Sequence, residues 1–269
     1  MYSGFITSRH VASWLGVHQK FNRVAYRKVR SLISAKAWPS LSAIQHFEGM
    51  NGPDGMKVKT VRRDEEPMHF YNPGTKSQEL LDYIDTHFDS LVRALQNQNK
   101  TRAAFDASWL AHSITDGLTP AHHIPYQSAL TDLYSNGGQD IRRPKDKVVI
   151  QANNSWQLLQ NNWRMWGHNG LLSSHVHFEL GVAMLVLTAR FQDVMPQQSL
   201  RQAQHLGLRE YFTRNAQTVH DWGLYRQFHR YGWTASLART VRWELTPMII
   251  DTVAIAWALA AEEARGEAR

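Results

Sequence analysis

Apolar residues recur along this chain at the three-to-four-residue spacing of helices, and almost nowhere at the two-residue spacing of strands. Between Ser77 and Asn97 the run Leu80, Leu81, Ile84, Phe88, Leu91, Leu95 marks one face of a helix. Val11 to Ala35, Thr101 to Thr115, His175 to Arg190, Leu200 to Ala216 and Pro247 to Arg265 repeat that pattern. Thr246-Pro247 offers the last of them a cap and a first-turn proline. The best alternating stretch, Lys147 to Ile150, is brief. The pattern predicts an all-α fold, a single multi-helix domain over 1–269. At 269 residues and 43% apolar content, the chain can bury one large core. Met50 to Tyr71 and Pro125 to Ser174 carry the Gly, Pro, Asn and charge of irregular chain. The second reads as a long loop insertion, about 125–174.

Composition narrows the chemistry. Fourteen histidines and no cysteine exclude disulfide frameworks and thiolate metal sites, which leaves imidazole and carboxylate as donors. The net charge of +7 favours phosphate-bearing partners, nucleic acid or an anionic membrane surface, without choosing between them. Met1 to Lys20 shows no basic region followed by a long apolar run, so no signal peptide is read there. No apolar stretch reaches the roughly 18–20 residues of a membrane span. The longest, Met248 to Ala261, is interrupted by Asp251 and reads as a buried core helix.

Within this helical frame one segment, Ala111 to His122, carries a pattern with chemical meaning. His112 and Asp116 are i and i+4, on one helix face with Cβ atoms about 5–6 Å apart, so both can reach one cation. Pro120 turns the chain and could bring His122 back toward them. His175 and Glu179 form a second i,i+4 pair, able to ligate an ion together with His122. His69 lies in Met68-His69-Phe70-Tyr71-Asn72-Pro73, Asp54 in the turn Gly52-Pro53-Asp54-Gly55, and His18 on the first helix. The rival reading of the core five is helix polarity by coincidence, but burying clustered ionisable groups without a metal is costly. Pro-Asp-Gly is turn chemistry in its own right. His10, His46, His87, His168, His205, His220 and His229 read as ordinary satisfied histidines. His177, two residues from His175, faces another side of its helix, and His123 is a candidate neighbour that holds a ligand in place.

These residues, in this order, resemble the zinc-dependent phospholipase C family and its relatives, the single-strand nucleases. The shared pattern is an early helix His (His18), a turn Asp (Asp54) and a His-Phe-Tyr-Asn-Pro segment (His69). A His-x3-Asp-x5-His run (His112, Asp116, His122) and a His-x3-Glu pair (His175, Glu179) complete it. It spans roughly Val11 to Val182 and is strongest from Phe105 to His123. The resemblance implies an all-helical fold binding two to three Zn2+ ions in a cleft. Asp54, His69, His112 and Asp116 would hold one, His122, His175 and Glu179 a second, and His18 with Asp116 a third, Asp116 bridging. Two departures stand out. The family chelates its third zinc with the amino terminus of a tryptophan just before the first His; here Met1 lies seventeen residues before His18, and Trp14 is not at a terminus. The gap from His122 to His175 is also far longer than in the phospholipases.

The resemblance further implies phosphodiester hydrolysis by metal-activated water, with Asp54 as the general base and Asp64, Glu65 and Glu66 as rivals. Three readings follow. The first is a phospholipase C cleaving phospholipid headgroups, with possible membrane-surface contact and no obligate protein partner; the His69 to Pro73 segment looks more like the phospholipases. The second is a single-strand nuclease or nucleotidase acting on nucleic acid, favoured by charge and by the aromatic insertion. The third is a metal-binding relative without activity. Trp156, Trp163 and Trp166 of the insertion are expected first as packing anchors, then as interfacial membrane residues or base-stacking platforms. Basic pairs Arg62-Arg63 and Arg142-Arg143, with Lys145 and Lys147, would suit an anionic substrate. An exposed apolar rim would favour lipid, and an aromatic slot lined with Arg and Lys would favour nucleic acid. Localisation stays open, since relatives of this kind are usually secreted.

Overall fold

The computed structural model describes residues 1, 16–34, 36–59, 68–75, 78–123, 154–167 and 170–266. Twelve α-helices carry these residues: α1 (Val17–Val29), α2 (Leu41–His46), α3 (Pro53–Lys59), α4 (Glu79–Gln96), α5 (Lys100–Gly117), α6 (Ser155–Trp166), α7 (Leu171–Leu187), α8 (Gln197–Leu206), α9 (Leu208–Trp222), α10 (Leu224–Tyr231), α11 (Ala235–Thr240) and α12 (Thr246–Ala264). Short 3-10 turns sit at Gly49–Asn51 and Pro120–His122, and no strand occurs among the described residues. The fold is all-α, built around one core.

α12 is the centre of that core. Ile249, Ile250, Val253, Ala254, Ile255, Ala256 and Trp257 are all buried, so the helix is apolar on every side, as the sequence expects of a core helix. It packs against α1, α4 and α5. α5 offers it Ala103, Ala104, Ala107 and Ala111, small enough for close approach, and the Trp257 indole donates to the Ala107 carbonyl at 3.0 Å. Each large side chain fully buried here stabilises by roughly 1.5–3 kcal/mol. Asp251, the polar interruption, faces α1, where the mostly buried Lys28 pairs with it at 3.1 Å. α4 and α5 form a hairpin, Asn99 capping α5 by accepting from the Arg102 amide at 3.0 Å.

Several expectations need correction. The helix expected from Leu200 to Ala216 is two helices, α8 and α9, because Gly207 between them takes φ +79°, a left-handed value that glycine adopts without strain. Pro247 stands in the first turn of α12 as expected, but Thr246 is not its cap, because the chain is already helical at Leu245. The chain enters helically through α11 and a π turn, Val241–Leu245, where the Thr246 amide bonds back to the Val241 carbonyl. That widened turn accommodates the proline, which has no N–H to give. Met50 to Tyr71 is not wholly irregular, since Asp54 lies in the first turn of α3 rather than in a plain turn. The insertion holds α6 and the start of α7. Trp156, Trp163 and Trp166 are exposed and do not anchor packing; Asn161 and Met165 are the buried side of α6. Two helical stretches, Ser155–Leu187 and Ala235–Ala264, are by length and composition long and apolar enough to cross a membrane. The second is mostly inside the core, and the first is divided into α6 and α7. Lys147 to Ile150, His10, Trp14, Arg62, Arg63, Asp64, Glu65, Glu66, Arg142, Arg143, Lys145 and His168 lie outside the described residues.

Candidate metal centre

The side chains of the motif come from five separate segments, and local structure explains how each is delivered. On α5 the helical repeat stacks His112 over Asp116, with His112 Nε2 3.1 Å from Asp116 Oδ2. α5 ends one residue later, and the Thr119 amide returns to the Asp116 carbonyl at 2.9 Å. The Pro120–His122 turn then brings His122 alongside. It is tied to the 68–75 segment in both directions: the Tyr71 amide donates to the His122 carbonyl at 3.3 Å, and His122 Nδ1 donates to the His69 carbonyl at 2.7 Å. These bonds fix His69 against α5. The α7 repeat stacks His175 over Glu179, Nε2 to Oε1 3.0 Å.

Three groups of side chains could hold a metal ion: Asp54, His69, His112 and Asp116; His122, His175 and Glu179; and His18, Glu48 and His112. In the first, His69 Nδ1 lies 2.8 Å from Asp116 Oδ2 and 3.3 Å from His112 Nε2, while Asp54 Oδ1 stands back at 3.7 and 3.9 Å from those two nitrogens. In the second, His122 Nε2 and His175 Nε2 converge on Glu179 Oε1 at 3.1 and 3.0 Å. The third group is better read as support for the first. His112 Nδ1 donates to Glu48 Oε1 at 2.8 Å, and an imidazole that offers one nitrogen to a metal directs its other N–H at such an acceptor. His122 follows the same rule, with its Nδ1 on the His69 carbonyl and its Nε2 turned to the second group.

His18 is drawn to Asp116 instead. Its Nε2 lies 3.3 Å from Asp116 Oδ1 and 2.8 Å from the Met1 carbonyl oxygen. The Met1 amine, wholly buried, donates to Asp116 Oδ1 at 2.6 Å and lies 3.2 Å from Glu179 Oε1. So Asp116 spans two clusters, Oδ2 toward His69 and His112, Oδ1 toward His18 and Met1. Met1 thus lies beside His18 and Asp116, the pair that the sequence leaves short of a ligand.

Charge follows from these contacts. Burial pushes the Met1 ammonium down, but Asp116 and Glu179 outweigh it and raise its pKa to about 11. Burial likewise opposes His112⁺, yet Glu48, Asp116 and Asp54 hold its pKa well above the ordinary histidine value. Burial drives His122 down to about 4, the pull of Asp116 notwithstanding, so His122 is neutral at pH 7 and its Nε2, turned to Glu179, can offer a lone pair to an ion. Against burial, the amine and His122 hold Asp116 well below the carboxylate range. The amine and His175 do the same for Glu179, and His112 and His69 for Asp54.

Every residue that the sequence nominates as a ligand is in one of these clusters. Glu48 and Met1 are the two members that sequence reasoning missed. His123 takes no part: its Nε2 donates to the Gly117 carbonyl at 2.8 Å, and it lines a small cavity with Pro120, His220 and Tyr225. His177 is exposed, away from the clusters. The centre opens to solvent at Asp54 and Glu179, whose side chains are 19% and 15% exposed, while His18, His112 and Asp116 are sealed. No protein-family model, curated protein or solved structure matches the chain.

Proposed function

We propose that this chain is a zinc-dependent phosphodiester hydrolase of the phospholipase C type, cleaving the headgroup from a phospholipid. The observation that carries the reading is Asp116, one carboxylate shared between two clusters and flanked by a third, all within a single buried centre. The donor set suits zinc: imidazole nitrogen and carboxylate oxygen only, four donors in the first group, and three in the second that leave a position open. Clustered zinc ions acidify water and neutralise the charge that builds on phosphoryl oxygens and the leaving group.

The chain's own residues do the rest. Asp54 stands furthest from its neighbours in the first group, is partly exposed, and is kept ionised by His112 and His69. It is therefore the carboxylate best placed to take a proton from an attacking water at Oδ1 or Oδ2. Glu48 and the His69 carbonyl hold His112 and His122 in the tautomers that present Nε2. Lipid is favoured over nucleic acid because exposed apolar side chains lie close in sequence to Asp54 and Glu179: Met50 and Met56 near the first, Val176 and Leu180 near the second.

Metal analysis per chain tests the proposal, run on the natural protein and on a His112→Ala, Asp116→Ala double variant, followed by assay on phosphatidylcholine and single-stranded DNA side by side. Two or three zinc ions, lost in the variant, together with headgroup release, are expected. DNA cleavage without lipid cleavage makes the chain a nuclease. Metal without turnover on either makes it a binding relative, and no metal removes the enzyme reading.

A further inference from the structure

α7 is apolar on both sides, yet only one side is buried. Phe178, Val182 and Val186 face the core, whereas Val176, Leu180 and Met184 repeat at i, i+4 and i+8 and are exposed, Met184 at 66%. α6 packs beside it and turns a second apolar row outward. Trp156, Leu159 and Trp163 occupy i, i+3 and i+7, the two tryptophans 75% and 68% exposed. An apolar row on the exposed side of a helix whose other side is already in the core has no partner within the described residues. Exposed side chains of this size, grouped on two adjacent helices, mark an interaction surface.

We infer that the outer face of the α6–α7 pair is a docking surface for an anionic phospholipid bilayer. Three observations favour that occupant. Tryptophan prefers the headgroup level of a membrane, where its ring is buried and its N–H stays wet, and aliphatic side chains reach just below. The charge complements an anionic leaflet: α6 has no acidic residue and exposes Arg164, Arg190 is exposed just beyond α7, and the one acid of α7, Glu179, turns to the metal centre. Single-stranded nucleic acid would need aromatic rings interleaved with several basic groups, and Leu159, Leu180 and Met184 can stack on no base. Taken singly, the 12 and 17 residues of α6 and α7 give roughly 18 and 25 Å against a hydrocarbon core of about 30 Å. The pair would lie in the interface, as amphipathic helices do. Val176 and Leu180 each follow a ligand of the second cluster, His175 and Glu179, by one residue, a rotation of about 100°. The open side of the centre would then border the lipid surface rather than face away from it. The inference deepens the phospholipid reading and rests on it for its purpose, but docking is measurable without turnover.

The test is cosedimentation of the full chain with vesicles of phosphatidylcholine containing a minority of phosphatidylglycerol, beside headgroup release from a short-chain, monomeric phosphatidylcholine. The natural chain should pellet with vesicles. Trp156→Ser with Trp163→Ser, and separately Leu180→Asp with Met184→Asp, should each lower the partition at least about tenfold. Thermal unfolding and metal content should stay unchanged, because the replaced side chains are exposed. A natural chain that stays in the supernatant, or variants that pellet equally, overturns the inference. So does a concentration-dependent dimer that dissolves in the variants while no vesicle is bound, because the face would then belong to a second copy. Vesicle binding without headgroup release keeps the docking surface and removes the hydrolase; headgroup release from the monomeric lipid without vesicle binding does the reverse.

Discussion

Glu48 is the residue on which the centre can be tested most sharply, because its one hydrogen bond to the clusters is to His112, with His18 Nδ1 further off at 4.0 Å. Its side chain is fully buried, accepts from His112 Nδ1 at 2.8 Å and from the Gly49 amide at 3.3 Å, and makes no contact with the second cluster that could mask a loss. Glu48→Gln keeps the volume and an acceptor oxygen but removes the charge. Charge-assisted hydrogen bonds are roughly twice as strong as neutral ones, and loss of such supporting partners typically costs about 10–100-fold in metal affinity. The glutamine should fall at the lower end, about tenfold or roughly 1.4 kcal/mol. Glu48→Ala should fall near the upper end and also lower stability by about 1–3 kcal/mol, since the imidazole N–H is left buried without an acceptor. Chelator competition for zinc, read beside thermal unfolding, measures both quantities. If both variants bind zinc like the natural chain, His112 does not present Nε2 to an ion, and the first cluster has been read wrongly.

Three further outcomes are expected. A Cβ at Gly117 would lie 2.5 Å from Phe212 Cζ and 2.7 Å from Leu80 Cδ2, so Gly117→Ala should destabilise by roughly 1–3 kcal/mol in denaturant unfolding; an unchanged midpoint would mean that α5 ends less tightly than described. The metal-free chain should lose stability on both sides of neutrality. The raised pKa values of Met1 and His112 give stability that is complete below their ordinary values and fades as pH climbs, through about 11 for the amine, while the lowered ones of Asp116 and Glu179 give stability that is lost as pH falls below the carboxylate range. Zinc should flatten the alkaline limb, because deprotonated amine and imidazole are the forms that bind; identical melting curves with and without zinc would refute this. Acetylating the Met1 amine leaves Asp116 and Glu179 without the cation between them, and should cost the metal-free chain on the order of 3 kcal/mol, read by calorimetry against the unmodified protein.

The sequence disclosed what helical repeat can carry. His112 with Asp116 and His175 with Glu179 were legible because i,i+4 spacing alone puts their side chains together, and the apolar stripes of α4 and α12 were legible for the same reason. Glu48 was not, since nothing local distinguishes it from a solvated glutamate; only the docking of the segment before α3 against α5 places it under His112. Met1 was invisible in another way, because its role belongs to backbone atoms and depends on where residue 1 lies in space. The break at Gly207 was missed because apolar period continues across it, and only a positive φ interrupts the helix. The tryptophans of α6 were misjudged by a rule that is sound on average: large aromatics usually pack, and α6 is oriented so that Asn161 and Met165 do so instead.

If ions occupy the clusters on either side of Asp116, its two oxygens would couple their loading. A first ion held by Asp116 would draw electron density from the carboxylate that a second would share, which would weaken the second; it would also orient that carboxylate and displace the protons that compete for it, which would strengthen the second. By reciprocity, whatever the first ion does to the affinity of the second, the second does equally to the first. A zinc titration of this chain should therefore depart from a sum of simple hyperbolas. The sense of the departure, steeper or shallower, would report whether shared charge or shared preorganisation prevails at a single carboxylate.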